Sequence, residues 1–250
     1  MNFFADYIPT FLLLLLRSSL FVSFMPLFSN QSFPRTFKIG FAVAIAIVLT
    51  PLIRIDIQAI PITFLVMREV LLGIAMGSAV RVLFMAIEMA GQFMSNSLGL
   101  SIATVFNPEF GQTTEIARFY TLMATMILLS TDAHHELIYI FVKSYELIPV
   151  GSVDIRNLLS VVLTAGGKFF VLALKIAAPI MTGMLIVSLL LGFIYKAAPQ
   201  LNIFFISFPI YIFLGFLIML ISLPVFIDSM SNGFNDVKEN LLRIITLARG

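Results

Sequence analysis

Apolar residues fall in long runs separated by short polar breaks rich in Pro and Gly. The runs cover about residues 7–28, 37–53, 62–99, 116–130, 169–195 and 203–227. They are continuously apolar, without the two-residue alternation of a membrane barrel, so each predicts a helix. A helix needs about 20 apolar residues to cross the hydrocarbon core of a bilayer. The pattern therefore predicts an all-α integral membrane protein with about six long hydrophobic segments. The breaks are helix-stopping ones. Pro26 and Pro34 bracket a polar SNQS turn, Pro51 closes the second run, and Asn107-Pro108 with Gly111 punctuates residues 102–112. Pro149-Val150-Gly151 makes a further turn. The short link KAAPQLN at 196–202 predicts an antiparallel hairpin of the last two runs. Residues 152–168 are the most polar internal stretch and predict a short amphipathic helix at a boundary. The tail 228–250 is charged, with Leu241, Leu242, Ile244, Ile245 and Leu247 available for one apolar side.

The third run carries most of the unusual features. As one helix, Glu69 to Gly99 would extend about 45 Å against a hydrocarbon core of about 30 Å, so it must tilt, break or project beyond the membrane. It holds Glu69, Arg81, Glu88 and Gln92, a Gly73-x-x-x-Gly77 pair and Gly91. At about 100° per residue, Glu69, Gly73, Gly77, Arg81, Glu88, Gly91, Gln92, Ser95 and Gly99 share a sector of roughly 140°. Val80, Phe84, Ile74, Ile87 and Met85 interrupt that sector, and the other side is Leu, Met, Val, Ala and Phe. A face of small and polar residues predicts contact with protein or water rather than lipid. Gly73, Gly77 and Gly91 are the candidates for close helix packing. Arg17, in the middle of the first run, costs about 2.5–3.5 kcal/mol at mid-membrane and marks a paired or functional position. Arg17, Glu69, Arg81 and Glu88 are thus candidates for intramembrane ion pairs or subunit contacts.

Composition sharpens the class. Of 250 residues, 60% are hydrophobic and 11% charged, with mean hydropathy +1.06, whereas a soluble domain carries about 25% charged residues. Net charge is +2, which gives no argument for nucleic acid. The absence of cysteine excludes disulfides, thiolate metal sites and cysteine nucleophiles. With 26 Phe and no Trp, the usual tryptophan belt is missing. Asp6 precedes the first Leu run, Arg17 interrupts it and no small-x-small cleavage site follows, so the first segment is expected to stay in the mature chain. Lys and Arg occur in nearly every loop, so charge bias selects no orientation. That is expected of helices that do not all cross a bilayer in the standard way.

Catalytic chemistry finds no footing. No phosphate loop, Ser/His/Asp set or carboxylate pair is assembled at usable spacing. Catalytic, cofactor-binding and metal-binding residues are all expected to be absent. Asp132-Ala133-His134-His135-Glu136 invites a metal reading. Adjacent helical positions point about 100° apart, however, and the spacing is not His-Glu-x-x-His, so interfacial packing or capping is expected. Arg17, Glu69, Arg81 and Glu88 on Pro- and Gly-interrupted helices also fit an ion-coupled secondary transporter. A subunit of a larger membrane complex fits better, because about six helices have too little interior to hide every polar and small-residue face.

Taken in order, these motifs resemble the FliR family, the export-gate subunits of flagellar type III secretion, whose injectisome counterpart is the T subunit. The matching residues are Arg17; Pro26 and Pro34-Arg35; Glu69 with Gly73 and Gly77; and Glu88-x-x-Gly91-Gln92. They continue with His134-His135, Ser144 and Pro149-Val150-Gly151. Ala198-Pro199-Gln200-Leu201-Asn202-Ile203-Phe204 with Pro209 and Gly215 is the most specific piece. Asn107-Pro108 stands where the family commonly has Asp-Pro. The resemblance covers nearly the whole chain. It implies a non-enzymatic, cofactor-free subunit of a plugged conduit that passes unfolded flagellar proteins across the bacterial inner membrane, at the flagellar basal body. It implies a multi-pass chain present once per gate, in a hetero-oligomer with P and Q export-gate subunits and an FlhB-type switch protein, in contact with lipid and with substrates in transit. It implies a single export-gate domain over 1–250, made of a P-like part, 1–165, and a Q-like helical hairpin with an amphipathic tail, 166–250. It places Phe106, Asn107, Pro108, Glu109 and Phe110 in a pore plug, and pairs Glu69, Arg81 and Glu88 with neighbouring subunits.

Overall fold

The computed structural model describes the backbone of residues 3–25, 34–53, 61–100, 114–147, 155–200 and 202–248. Within these, the side chains at 3–6, 155–165, 203–204 and 247–248 are left undescribed. The described chain is entirely helical: α1 (Phe3–Phe24), α2 (Arg35–Leu49), α3 (Ile62–Ser97), α4 (Glu115–Ser130), α5 (Ala133–Leu147), α6 (Ile155–Ala197) and α7 (Ile203–Ala248). Among the described residues, four stretches are long and apolar enough to cross a membrane: Tyr7–Phe24, Ile62–Ser97, Gly166–Ala197 and Phe205–Thr246. The second and fourth hydrophobic runs become α2 and α4, of 15 and 16 residues. Both fall short of the about 20 residues a span requires, so six runs do not become six full-length spans.

The third run is one unbroken helix. α3 has 36 residues, about 54 Å at 1.5 Å per residue. It ends on Gly99, whose φ of 73° suits a residue without a Cβ. The Leu100 amide donates to the Ser95 carbonyl (3.0 Å) and the Gly99 amide to that of Asn96 (3.1 Å), which satisfies two of the helix's terminal carbonyls. One expectation is corrected. Residues 152–168 do not form a separate short helix, because α6 runs from Ile155 to Ala197 without interruption. Gly166 and Gly167 lower helix propensity there, but neither takes the left-handed conformation that would end the helix. The charged tail is likewise continuous with the sixth run in α7, of 46 residues. Pro209 and Pro224 each remove one backbone donor without ending the helix, as membrane helices tolerate.

The chain forms two compact units. The first comprises Met1–Leu83, Leu128–Gly167 and Phe234–Gly250. In it α1 packs on α2, Phe21 of α1 stacks on Phe141 of α5 with centroids 4.4 Å apart, and Lys238 of α7 pairs with Glu136 of α5 at 2.9 Å. Phe234, Val237, Leu241, Ile244 and Ile245 are buried along the end of α7, spaced as one helical stripe. Leu242 points away and is 39% exposed.

The second unit comprises Phe84–Ile127 and Lys168–Gly233. Here α6 and α7 form the hairpin read from the KAAPQLN link. Gly183 faces Ile218, and the Tyr211 hydroxyl donates to Ser188 Oγ at 3.3 Å. Contacts that advance on one helix as they retreat on the other define an antiparallel pair. Tyr120 of α4 meets Phe226 of α7 edge to face, centroids 4.7 Å apart, a geometry aromatic rings favour.

Leu241→Asp is expected to cost about 3 kcal/mol or more, because it places an unpaired carboxylate where no solvent reaches. Leu242→Asp should be tolerated. Steady-state membrane levels and thermal aggregation of the two purified variants check the contrast.

Candidate functional site

The polar centre of the first unit is built on Arg17. It lies in the fourth turn of α1, and only 2% of it is exposed. Glu69, near the start of α3, meets it in a two-pronged ion pair: Arg17 Nε donates to Oε2 at 2.6 Å and Nη2 to Oε1 at 2.7 Å. The planar guanidinium fork matches the carboxylate in a way that a lysine could not reproduce. Nη1 donates to Ser144 Oγ of α5 at 3.0 Å, and that hydroxyl donates onward to the Phe141 carbonyl at 2.6 Å. The Tyr145 ring covers the guanidinium face, its centroid 4.0 Å from Cζ, at a distance where the ring quadrupole attracts a cation. Arg68, the residue before Glu69, is also buried and is engaged by its surroundings. The cluster joins three helices through one side chain. Arg17 and Glu69 neutralise each other and the Arg17 donors are directed, so this pair works as a lock between helices, beside a second buried cation, Arg68.

Small residues bring the helices close enough for this. A Cβ added at Gly73 would lie 2.9 Å from Leu20 Cβ and 3.2 Å from the Arg17 carbonyl oxygen, and one at Gly77 would lie 2.7 Å from Phe24 Cβ. These two glycines let α3 lie against α1 beside the ion pair. In the second unit Gly91 faces Ala117 of α4, whose backbone nitrogen would be 2.8 Å from an added Cβ. Gly215 of α7 meets Leu98 and, at 3.7 Å, the Met184 sulfur.

The remaining sequence candidates fall elsewhere. Arg81 and Glu88 lie 12 and 19 residues beyond Glu69, roughly 18 and 28 Å along the helix. Both are half-buried and both interact with neighbouring groups. Glu69 pairs within the chain, with Arg17. The plug candidates Phe106, Asn107, Pro108, Glu109 and Phe110 lie outside the described residues. Ser144 stands out in the sequence only as a motif residue, and Tyr145 carries no mark at all. Nothing in a string of residues announces that position 144 meets position 17.

The His-His motif behaves differently from its helical-wheel reading. The rings of His134 and His135 do not diverge. Their centroids are 4.1 Å apart and tilted by 36°, and one ligand atom each of Asp132, His134 and His135 lies within 4.8 Å of the others. Asp132 forms the turn into α5 with φ 55°, and its carboxylate approaches His135 Nδ1 at 3.4 Å. These two side chains are 77% and 71% exposed. Such hydration suits a contact that caps the start of α5 better than a closed ion site.

Gly91→Val is expected to cost about 1–3 kcal/mol through overpacking against Ala117. Gly40→Val should be neutral, since nothing lies within 4 Å of a Cβ there. Thermal unfolding of the two purified variants, followed side by side, measures the difference.

Comparison with known proteins places this geometry. Residues 8–237 match the family described as bacterial export proteins, family 1. The flagellar biosynthetic protein FliR of Aquifex aeolicus is 31% identical over 92% of this chain and 92% of its own length. That of Pectobacterium carotovorum is 30% identical over 90% and 88%, and that of Bacillus subtilis 28% over 99% and 98%. Similarity of this extent spans both compact units and every described helix, and so the chain belongs to the FliR family of bacterial export proteins.

Proposed function

We infer that the protein is a subunit of the flagellar protein export apparatus in the bacterial inner membrane. The observation that carries this is the family match over residues 8–237, with FliR relatives aligned along nearly the whole chain. In this reading the chain is non-enzymatic. It forms part of a conduit at the flagellar basal body, closed by a plug at residues 106–110, through which unfolded flagellar proteins pass on energy supplied elsewhere. Its partners are P and Q export-gate subunits and an FlhB-type switch protein, with residues 1–165 acting as the P-like part and 166–250 as the Q-like hairpin and tail.

Physical features support that reading. α3, α6 and α7 would measure about 54, 64 and 69 Å, each well beyond a hydrocarbon core of about 30 Å. Helices of this length suit an assembly raised partly out of the bilayer. α6 and α7 expose Phe193, Phe205, Phe213 and Ile221, which offers apolar surface to neighbouring helices as well as to lipid. Arg81 and Glu88, half-buried on the face of α3 that carries the small residues, are positioned to contact neighbours. The ion-coupled transporter gains no support, because Arg17 and Glu69 saturate each other instead of presenting a site for an ion.

The test is complementation of a strain lacking the gene. The wild-type chain should restore flagellin export to the medium and co-purify with P and Q subunits. Glu88→Ala should lower that co-purification several-fold. The double variant Phe106→Ala, Phe110→Ala should assemble normally yet leak ions in the closed state. A chain that purifies alone and binds a small solute with high affinity would point back to a transporter.

A further inference from the structure

An apolar groove lies in the first unit, outside the ion-pair cluster. It is a cavity of about 580 Å³ enclosed by α1, α2 and the start of α3, with walls that include Leu12, Leu16, Val43, Ile62 and Val66. Its few polar linings are Ser19, Ser23 and Lys38. The serine hydroxyls already donate within α1, Ser19 to the Leu16 carbonyl at 2.9 Å and Ser23 to that of Ser19 at 2.6 Å. Lys38 is half-buried, and its ammonium has no hydrogen-bond or ion-pair partner among the described residues. It is the first residue of α2 to line the groove, so the charge sits at one end of the lining that α2 provides. Arg35, exposed and likewise without an ion pair among the described residues, is three positions earlier and shares its face. The groove is therefore an apolar channel with two positive charges at one end that no described residue neutralises.

Its length and lining suit one kind of occupant. Along α1 the lining runs from Pro9 to Ser23, about 21 Å, between one leaflet and the full thickness of a core about 30 Å thick. The walls over that length are almost wholly apolar and the positive charge lies at one end, which matches an acyl chain that carries an anionic headgroup. We propose that this groove holds one acyl chain of an anionic phospholipid, with the headgroup phosphate paired to Lys38 and Arg35. Basic pockets between membrane helices recognise anionic headgroups on this principle. A bound lipid would also fill the space between α1 and α2 beside the Arg17 lock. The proposal rests on the membrane location of the fold and not on the export reading.

Native mass spectrometry of the full chain in mild detergent, with equal phosphatidylglycerol and phosphatidylethanolamine of matched acyl length, tests it. The wild-type chain should retain one phosphatidylglycerol in preference. Lys38→Gln and Arg35→Gln should each lower that preference about fivefold, and the double variant should abolish it. Val43→Phe, which fills the groove without touching the charges, should lower retention of both lipids; Leu12→Phe gives the same reading from the α1 side. An unchanged headgroup preference in the double charge variant overturns the proposal. So does unchanged lipid retention in both groove-filling variants, or loss of the lipid once P and Q subunits are bound, which would assign the groove to a protein neighbour.

Discussion

A guanidinium and a carboxylate, taken out of water together, constrain one half of this molecule. Arg17 and Glu69 sit in an apolar helical unit and are almost entirely shielded from solvent. Removing either charge from water alone costs several kcal/mol, and their attraction offsets this only when geometry is favourable and the remaining donors are satisfied. The structure meets both conditions through the two-pronged contact, the Ser144 hydroxyl and the Tyr145 ring. Those partners come from two other helices, Glu69 from α3 and Ser144 with Tyr145 from one turn of α5, so α1, α3 and α5 must dock in one register or the pair is lost. An ordinary apolar contact tolerates small slips; a planar fork between two buried charges does not. In a protein whose surface and core are both apolar, that directional constraint selects one arrangement among many of similar burial.

Close approach is the second requirement. Apolar helices in a membrane gain little from hiding apolar surface, so backbone proximity and dispersion carry more of the association. Gly73 and Gly77 let α1 lie against α3 next to the ion pair, and Gly91 does the same for α3 and α4 in the second unit. α3 contributes residues to both units, with Gly73 and Gly77 in the first and Gly91 in the second.

Legibility in the sequence follows the range of the physics. Continuous apolar runs declare helices locally, and the all-helical membrane class was readable for that reason. The unbroken length of α3 agreed with one branch of the reading, since no Pro or left-handed Gly interrupts positions 62–97. Charges in apolar runs were visible because their desolvation is costly wherever they land. Their partners were not, because Ser144 lies 127 residues from Arg17 and only the fold joins them. The runs that become α2 and α4 are apolar but too short to span, in line with helices that do not all cross a bilayer in the standard way. α6 was wrongly divided at its polar start, where composition changes while the backbone does not. At His134 and His135 a helical wheel describes Cβ directions, whereas two long side chains at a helix start can turn to stack. The plug candidates lie outside the described residues, and their role rests on resemblance alone.

A double-mutant cycle on Arg17→Met and Glu69→Met, followed by reversible unfolding of the purified chain, bears most directly on the lock. Each single variant strands one buried charge and should lose about 3–5 kcal/mol, while the double variant replaces the pair by apolar side chains and should be clearly more stable than either. Losses that simply add in the double variant would show that Arg17 and Glu69 act independently, and would contradict the lock.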